Sequence, residues 1–203
     1  MKEDTSLEPT SAGDDDSARD LRLMLRVKAG DAAAFRELVE AHQHRIIGII
    51  ARMLGDAIEA EDLAQEVFLR IWKSAPRWEP AAKFTTWAFT IMKNIVFNES
   101  RRRSRRKTVP MDQQNDDGYQ PQFADESAKS PDRIVLDAEH QDAIERAIAE
   151  LPEGARMAII LRRYQDVSYE EIAVIMKLSL PAVKSVLFRA RNELREKLRQ
   201  YLE

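Results

Sequence analysis

Polar side chains at helical spacing are the first candidates for function in this chain of 203 residues. Asp62, Gln65 and Glu66 are three and four residues apart, so a helix would bring them onto one face that offers carboxylates and an amide to a basic partner. The run 101–107 carries six Arg and Lys in seven residues, a charge density suited to the phosphates of nucleic acid. Both patterns also fit solvated helix surfaces, and acids additionally favour a helix N-terminus.

A second candidate lies near the C-terminus. Ser168 followed three residues later by Glu171 is a capping box, which predicts a short helix from Tyr169 to about Lys177. Ser179 can cap another helix, and along one side of that helix lie Lys184, Ser185, Arg189 and Arg191. Two short helices joined by a tight turn, the second one basic, predict a helix-turn-helix that reads duplex DNA. An ordinary helical hairpin with a solvated basic face is the alternative.

The composition excludes several classes of protein. The chain has no cysteine, which rules out disulfides, thiol nucleophiles and Cys-ligated metals. Three scattered histidines, His42, His44 and His140, leave little for a His-based metal site. The longest apolar run, 46–51, is far too short to cross a bilayer, and the polar, acidic N-terminus is unlike a signal peptide. With no Walker loop, metal-ligand cluster or nucleophile constellation, we expect no catalytic residue, no metal and no cofactor in a soluble, cytoplasmic chain.

Charge is segregated along the sequence, although the formal net charge is only −3. Residues 1–20 hold seven acidic and two basic side chains, and residues 83–107 hold eight basic and one acidic. Residues 108–140 return to eight acidic and two basic, and residues 177–203 hold seven basic and three acidic. We therefore predict a disordered acidic tail over 1–19, a first domain over 20–107, a linker over 108–133 and a second domain over 134–203.

Apolar residues recur every three or four positions in both domains, which is the spacing of buried helix faces. The clearest case is the stretch 35–53, which Asp31 would cap and Gly55 would end. No segment alternates with period two for long enough to predict a strand. The predicted fold class is all-α, with two small helical domains joined by a flexible acidic linker.

Both domains resemble one family, the extracytoplasmic-function group of bacterial sigma-70-type factors. Three stretches resemble sigma region 2, namely 30–39, 60–69 (AEDLAQEVFL) and 84–87 (FTTW). Three others resemble sigma region 4, namely 151–156, 168–173 (SYEEIA) and 183–191 (VKSVLFRAR). The resemblance covers about residues 20–105 and 134–200, nearly everything outside the tail and linker. It implies a promoter-specificity subunit of RNA polymerase without a catalytic site of its own.

The resemblance assigns roles in polymerase docking and promoter opening. The core-polymerase-binding residues would be Asp62, Gln65, Glu66 and Leu69. The first three match positions that in the family contact the clamp helices of the largest subunit, and Leu69 would border that contact together with Arg70. The −10 DNA-binding residues would be Trp78, Lys83, Phe84, Lys93, Asn94, Arg101 and Arg102, with Asn94 lining a pocket for a flipped base. Arg103, Arg105 and Arg106 are further candidates for phosphate contacts, and Trp87 is expected in the core. Thr90 and Ile91 stand where housekeeping sigma factors carry a tryptophan pair, which implies weaker melting power.

The last helix would read the −35 element. The residues implied are Lys184, Ser185, Phe188, Arg189 and Arg191. The expected partners are core RNA polymerase (its clamp helices and beta flap), promoter DNA and an anti-sigma factor, with no direct membrane insertion. Two alternatives stay open on the residues alone: a stand-alone helix-turn-helix regulator, which leaves the first domain unexplained, and an enzyme on nucleic acid, for which no active-site pattern is present.

Overall fold

The computed structural model describes residues 11–107 and 131–199, and within these ranges it contains eight α-helices and no strand. The helices are α1 (Ser11–Lys28), α2 (Ala32–Leu54), α3 (Ala57–Ser74), α4 (Phe84–Lys107), α5 (Pro131–Ala149), α6 (Glu153–Gln165), α7 (Tyr169–Met176) and α8 (Leu180–Lys197). One turn of 3-10 helix, Ala75–Arg77, follows α3. The all-α fold class is therefore confirmed.

The helix ends are fixed by the local signals that the sequence predicts. The Asp31 carboxylate accepts hydrogen bonds from the backbone N–H groups of Ala33 and Ala34 at 2.9 and 3.1 Å. Gly55, at the end of α2, has a φ of 71°, which costs glycine little. Ser168 and Glu171 cap each other's backbone N–H groups at the start of α7, and Ser179 accepts from Ala182 at the start of α8.

The N-terminal segment differs from its prediction. Residues 11–19, predicted as part of a disordered tail, form the first half of α1, whereas residues 1–10 lie outside the described residues. The helix is anchored where it meets α2, because Asp20 and His42 are both buried and Asp20 Oδ1 lies 2.9 Å from His42 Nε2. Met24 and Val27 continue the buried face one and two turns later. This anchor depends on a contact 22 residues away, which composition does not reveal.

Helices α1–α4 form the N-terminal bundle, whose core is aliphatic and aromatic. Its fully buried side chains include Met24, Leu38, Ile46, Ile49, Ile50, Ile71, Phe89 and Met92. Because α2 lies among the other three helices, it has buried residues along most of its length. The bundle holds α3 and α4 side by side, with one face of each exposed.

Helices α5–α8 form the C-terminal bundle, in which α7 and α8 make the predicted helix-turn-helix. The core of this bundle includes Ile148, Leu151, Met157 and Ile160, together with Val183 and Leu187 of α8. The helix α5 begins at Pro131, inside the stretch predicted as linker, and residues 108–130 lie outside the described residues.

Candidate polymerase and nucleic-acid interfaces

The outer face of α3 carries the residues predicted to dock on polymerase. Asp62 and Gln65 are exposed, and neither side chain makes a hydrogen bond or ion pair to any described residue. Leu69 leaves 56% of its surface exposed, although it is a large apolar side chain. Glu66 is partly exposed and forms an ion pair with Arg70, with 2.6 Å between Arg70 Nη2 and Glu66 Oε1. The structure thus brings the four predicted residues onto one helix, with Glu66 already paired.

Asn94 lies in a cavity of about 300 Å³ between the end of α3 and α4. Its lining residues are Arg70, Lys73, Ser74, Arg77, Ile91 and Asn94. Three of them are basic and come from α3 and the turn after it, so the cavity is positively charged around an uncharged amide. Arg70, Lys73 and Arg77 were missed as members of this site, because the only signal for them is the packing of α3 against α4.

The aromatic residues of the loop before α4 are in the core. Trp78 is 4% exposed and Phe84 3% exposed, and the rings of both lie 6.2–6.3 Å from the Trp87 ring. Lys28 Nζ donates to the carbonyl of Trp78 at 2.7 Å and fixes the loop to α1. The resemblance implies −10 contacts for Trp78 and Phe84, but both rings are buried and neither is presented to a DNA base. Their burial instead holds the exposed loop in place. Trp87 packs against the hydrophobic core, as predicted.

The arginine run at the end of α4 is divided by its contacts. Arg101 and Arg102 are exposed, and Arg102 pairs with Glu99 at 2.7 Å. Arg103 instead turns inward, donates to the Leu54 carbonyl at 3.1 Å and pairs with Glu59. Arg103 therefore stabilises the C-terminal end of α2. The remaining exposed arginines form the basic surface that the sequence predicts.

The helix α8 presents its predicted reading face to solvent. Val183, Leu187 and Ala190 are buried against the bundle. The opposite side is exposed and consists of Lys184, Ser185, Phe188 and Arg189. Arg191 is exposed as well, and its Nη2 donates to the hydroxyl of Tyr169 at 2.9 Å.

Comparison with known proteins identifies both bundles. Residues 38–106 match the family described as Sigma-70 region 2, and residues 141–194 match Sigma-70, region 4. The chain is 34% identical over 185 residues to the RNA polymerase sigma-H factor of Pseudomonas aeruginosa, a match that covers 91% of this chain and 96% of that protein. It is 31% identical over 177 residues to the ECF RNA polymerase sigma-E factor of Escherichia coli (strain K12), covering 87% and 92% respectively. The chain belongs to the sigma-70 family, in its extracytoplasmic-function group.

Solved structures agree on the fold. CnrH, solved in complex with the cytosolic domain of CnrY, has a TM-score of 0.64 at 23% identity, and the match covers 90% of this chain and 98% of CnrH. RpoE of Bartonella quintana, solved with the anti-sigma factor NepR, has a TM-score of 0.63 at 23% identity, with coverages of 81% and 96%. As a sigma factor, this chain is the subunit that binds core RNA polymerase and directs it to promoter DNA for transcription initiation.

In this structure, region 4 is packed against region 2 along a line of polar contacts that we call the seam. At one end, Arg156 Nη1 of α6 donates to the Met53 carbonyl of α2 at 2.9 Å, and its Nη2 donates to Leu151 of its own bundle. Beside this contact, Arg52 Nε donates to Glu145 Oε1 at 3.2 Å, and the Arg52 guanidinium lies 4.1 Å from the centre of the Tyr164 ring.

The other end of the seam involves the start of α4. Lys83 Nζ lies 3.3 Å from Glu171 Oε1, so the residue that caps α7 also pairs with the region 2 loop. Burial alone would raise the pKa of Glu171, but hydrogen bonds from Ser168 and Lys83 outweigh it and leave the pKa below its usual value. Glu171 therefore stays ionised, and Lys83 is occupied by a carboxylate.

The seam also covers Lys93, a predicted −10 contact. Lys93 is only 7% exposed, and burial together with the charge of Lys177 in region 4 lowers its pKa. In this arrangement Lys93 is buried, in contrast to Asn94 beside it, which is exposed. Part of the predicted −10 surface is thus hidden by region 4, while the α3 face and the α8 reading face are open.

Neither membrane nor metal features are found in the part of the chain that the structure describes. None of its helices is long and apolar enough to cross a membrane. The same described residues include no group of three or more His, Asp or Glu that could hold a metal ion.

Proposed function

We propose that region 2 docks on core polymerase through α3 and captures a −10 base at the Asn94 cavity, while region 4 reads the −35 element with α8. The Asn94 cavity carries this proposal. The Asn94 amide can both donate to and accept from the edge of an extruded base, and Lys73 and Arg77 can neutralise the neighbouring phosphates, while Arg70 is paired with Glu66. A volume of about 300 Å³ is at the lower end for small-ligand sites, which suits one base.

The −35 role rests on the exposed side of α8. Lys184 and Arg189 can donate to base edges or phosphates in the major groove, and Phe188 offers an apolar surface to a thymine methyl group. Arg101 and Arg102 are placed for phosphate contacts at the other element, which position the protein but do not read sequence.

We further propose that the seam is closed in the free chain and opens on polymerase. Free sigma factor would then bind DNA weakly, because Lys83 and Lys93 are engaged or buried until region 4 moves away. The acidic stretches of the sequence act in the same direction by repelling phosphates. We also propose a cytoplasmic location, regulation by an anti-sigma factor and no catalytic site in this chain.

The cavity is tested by open-complex formation. Holoenzyme is assembled from core polymerase and the full chain, carrying either Asn94→Ala or the control Asn98→Ala, which removes an exposed amide one turn further along α4. Permanganate reactivity of unpaired thymines measures opening, and gel shift on duplex promoter measures closed-complex binding. We expect Asn94→Ala to reduce opening at least tenfold with little change in closed complex, and Asn98→Ala to resemble wild type. An equal loss in both assays would contradict the base-capture role.

A further inference from the structure

The start of α3 carries an unusually exposed apolar side chain. Ile58 leaves 81% of its surface in solvent, the highest value among the exposed large hydrophobic residues of the described chain. It lies in the first turn of the helix, two residues after the N-cap Asp56. Single apolar residues on a surface need no explanation, so the question is what lies next to Ile58.

Ile58 belongs to a stripe that runs along the docking helix. Ile58, Asp62, Gln65 and Leu69 are separated by four, three and four residues, so all four lie within about 60° of one another around α3. Ile58 and Leu69 are about 16 Å apart along the helix axis and enclose the two polar residues. Glu66 lies about 80° away from Ile58 around the helix, at the margin of this stripe.

The charges of α3 are distributed in agreement with this stripe. Glu59 pairs with Arg103 and Glu66 pairs with Arg70, so both carboxylates are neutralised within region 2. Asp62 lies inside the stripe, and Glu61 lies about 60° from Ile58 at its other margin; both are exposed and make no ion pair with any described residue, so both charges are available for a partner. The free face of α3 is thus an acidic and amide centre with an apolar group at each end. Such a face fits a helical surface that offers a basic residue between two apolar patches.

We propose that Ile58 is an apolar anchor for core RNA polymerase, which extends the docking face by one helical turn towards the start of α3. This inference rests on the proposed docking of α3. The partner is core polymerase because the stripe is continuous with Asp62 and Gln65, and because the face is exposed while region 4 is packed on region 2. The docking face predicted from the sequence runs from Asp62 to Leu69. With Ile58 included, its centre moves towards Asp62.

Binding of labelled full-length chain to its cognate core polymerase tests the proposal. Ile58→Ala removes the anchor, and alanine at this exposed helical position does not weaken the helix. Ile58→Leu keeps the apolar surface. The matched control is Leu25→Ala, because Leu25 is a half-exposed apolar residue of α1 in the same bundle. The pair Asp62→Ala with Gln65→Ala reports on the docking face itself, and circular dichroism verifies the fold of each variant.

We expect Ile58→Ala to raise the Kd roughly five- to thirtyfold. Ile58→Leu and Leu25→Ala should stay within about twofold of wild type. A Kd for Ile58→Ala within twofold of wild type, combined with a clear loss for Asp62→Ala with Gln65→Ala, would overturn the anchor and leave docking by α3 intact. No loss in any of these variants would overturn the docking face as well.

Discussion

Replacing the two oppositely charged residues that pair across the seam measures whether region 4 rests on region 2 in solution. Arg52 and Glu145 connect the two regions with a 3.2 Å hydrogen bond, and their side chains are 14% and 32% exposed. Arg52→Gln and Glu145→Gln remove the charges while preserving much of the side-chain bulk. Both residues also have partners in their own bundles, since Glu145 accepts from the Tyr164 hydroxyl and Arg52 donates to the Gly48 carbonyl. A double-mutant cycle is therefore needed, because it cancels those internal losses.

The expected coupling lies between the values for exposed and buried ion pairs. Exposed pairs contribute about 0.2–1 kcal/mol, and breaking a fully buried pair costs about 3–5 kcal/mol. Arg52 is largely buried but Glu145 is about one third exposed, so solvent screens part of the attraction. We expect a coupling free energy of about 1.5 kcal/mol, which corresponds to a roughly tenfold change in the ratio of closed to open chain.

Single-molecule fluorescence transfer can measure that ratio. The chain has no cysteine, so cysteines introduced at the exposed positions Ala33 in α2 and Glu196 in α8 would be the only sites for dyes. The wild-type, Arg52→Gln, Glu145→Gln and double variants supply the cycle. Mild urea, kept below the unfolding transition of either bundle, brings both populations into range.

The ion pair of Glu150 with Lys197 provides the matched control, because both residues belong to region 4. A cycle of Glu150→Gln with Lys197→Gln should leave the closed-to-open ratio unchanged. A coupling below about 0.3 kcal/mol for Arg52 and Glu145, indistinguishable from this control, would refute the reasoning that the seam closes the free chain.

Two further predictions concern the basic residues. Lys93→Met should increase the closed population at least twofold at neutral pH, because the closed chain buries the Lys93 charge beside Lys177 and lowers the pKa of Lys93. The same fluorescence assay measures the closed population, and a shift towards the open chain would contradict this prediction. Arg189→Ala should weaken holoenzyme binding to a matched −35 element roughly tenfold more than to a mismatched one, whereas Arg101→Ala should weaken both alike and reduce the salt dependence of binding. Competition gel shifts over a range of salt concentrations distinguish the two variants. An equal loss of Arg189→Ala binding to the matched and mismatched −35 elements would indicate that Arg189 contacts a phosphate.

Local signals were sufficient to predict most of the helices. Asp31, Ser168 and Ser179 act on backbone groups two or three residues away, so their caps depend on little outside the segment itself. The helical period likewise places Val183 and Leu187 inward on α8 and leaves Lys184 outward. The stripe of Asp62 and Gln65 on α3 followed from the same spacing.

The features that the sequence did not predict depend on distant contacts. Trp78 is buried because it meets Trp87 and because Lys28, 50 residues away, binds its carbonyl. Arg103 belongs to a run that predicts phosphate binding, yet Leu54 and Glu59 engage it. The sequence shows that Lys83 and Lys93 are positively charged. Whether these two side chains can contact DNA depends on where region 4 lies. Composition gives the number of charges and gives no information about which of them are occupied.

The position of α3 on the outside of the closed chain sets an order of assembly. A ligand that needs the open form sees its apparent affinity reduced by the fraction of chain that is open, and under the proposed −10 role of Lys93 promoter DNA would be such a ligand. A partner that binds the α3 face has no such penalty, because Asp62 and Gln65 are exposed with the seam closed. Under the proposed docking and seam opening, every molecule of the free factor would be able to bind polymerase, whereas a promoter would engage fully only with molecules that have already opened. A rise in the concentration of free factor would accelerate holoenzyme formation without filling promoters with factor that carries no polymerase.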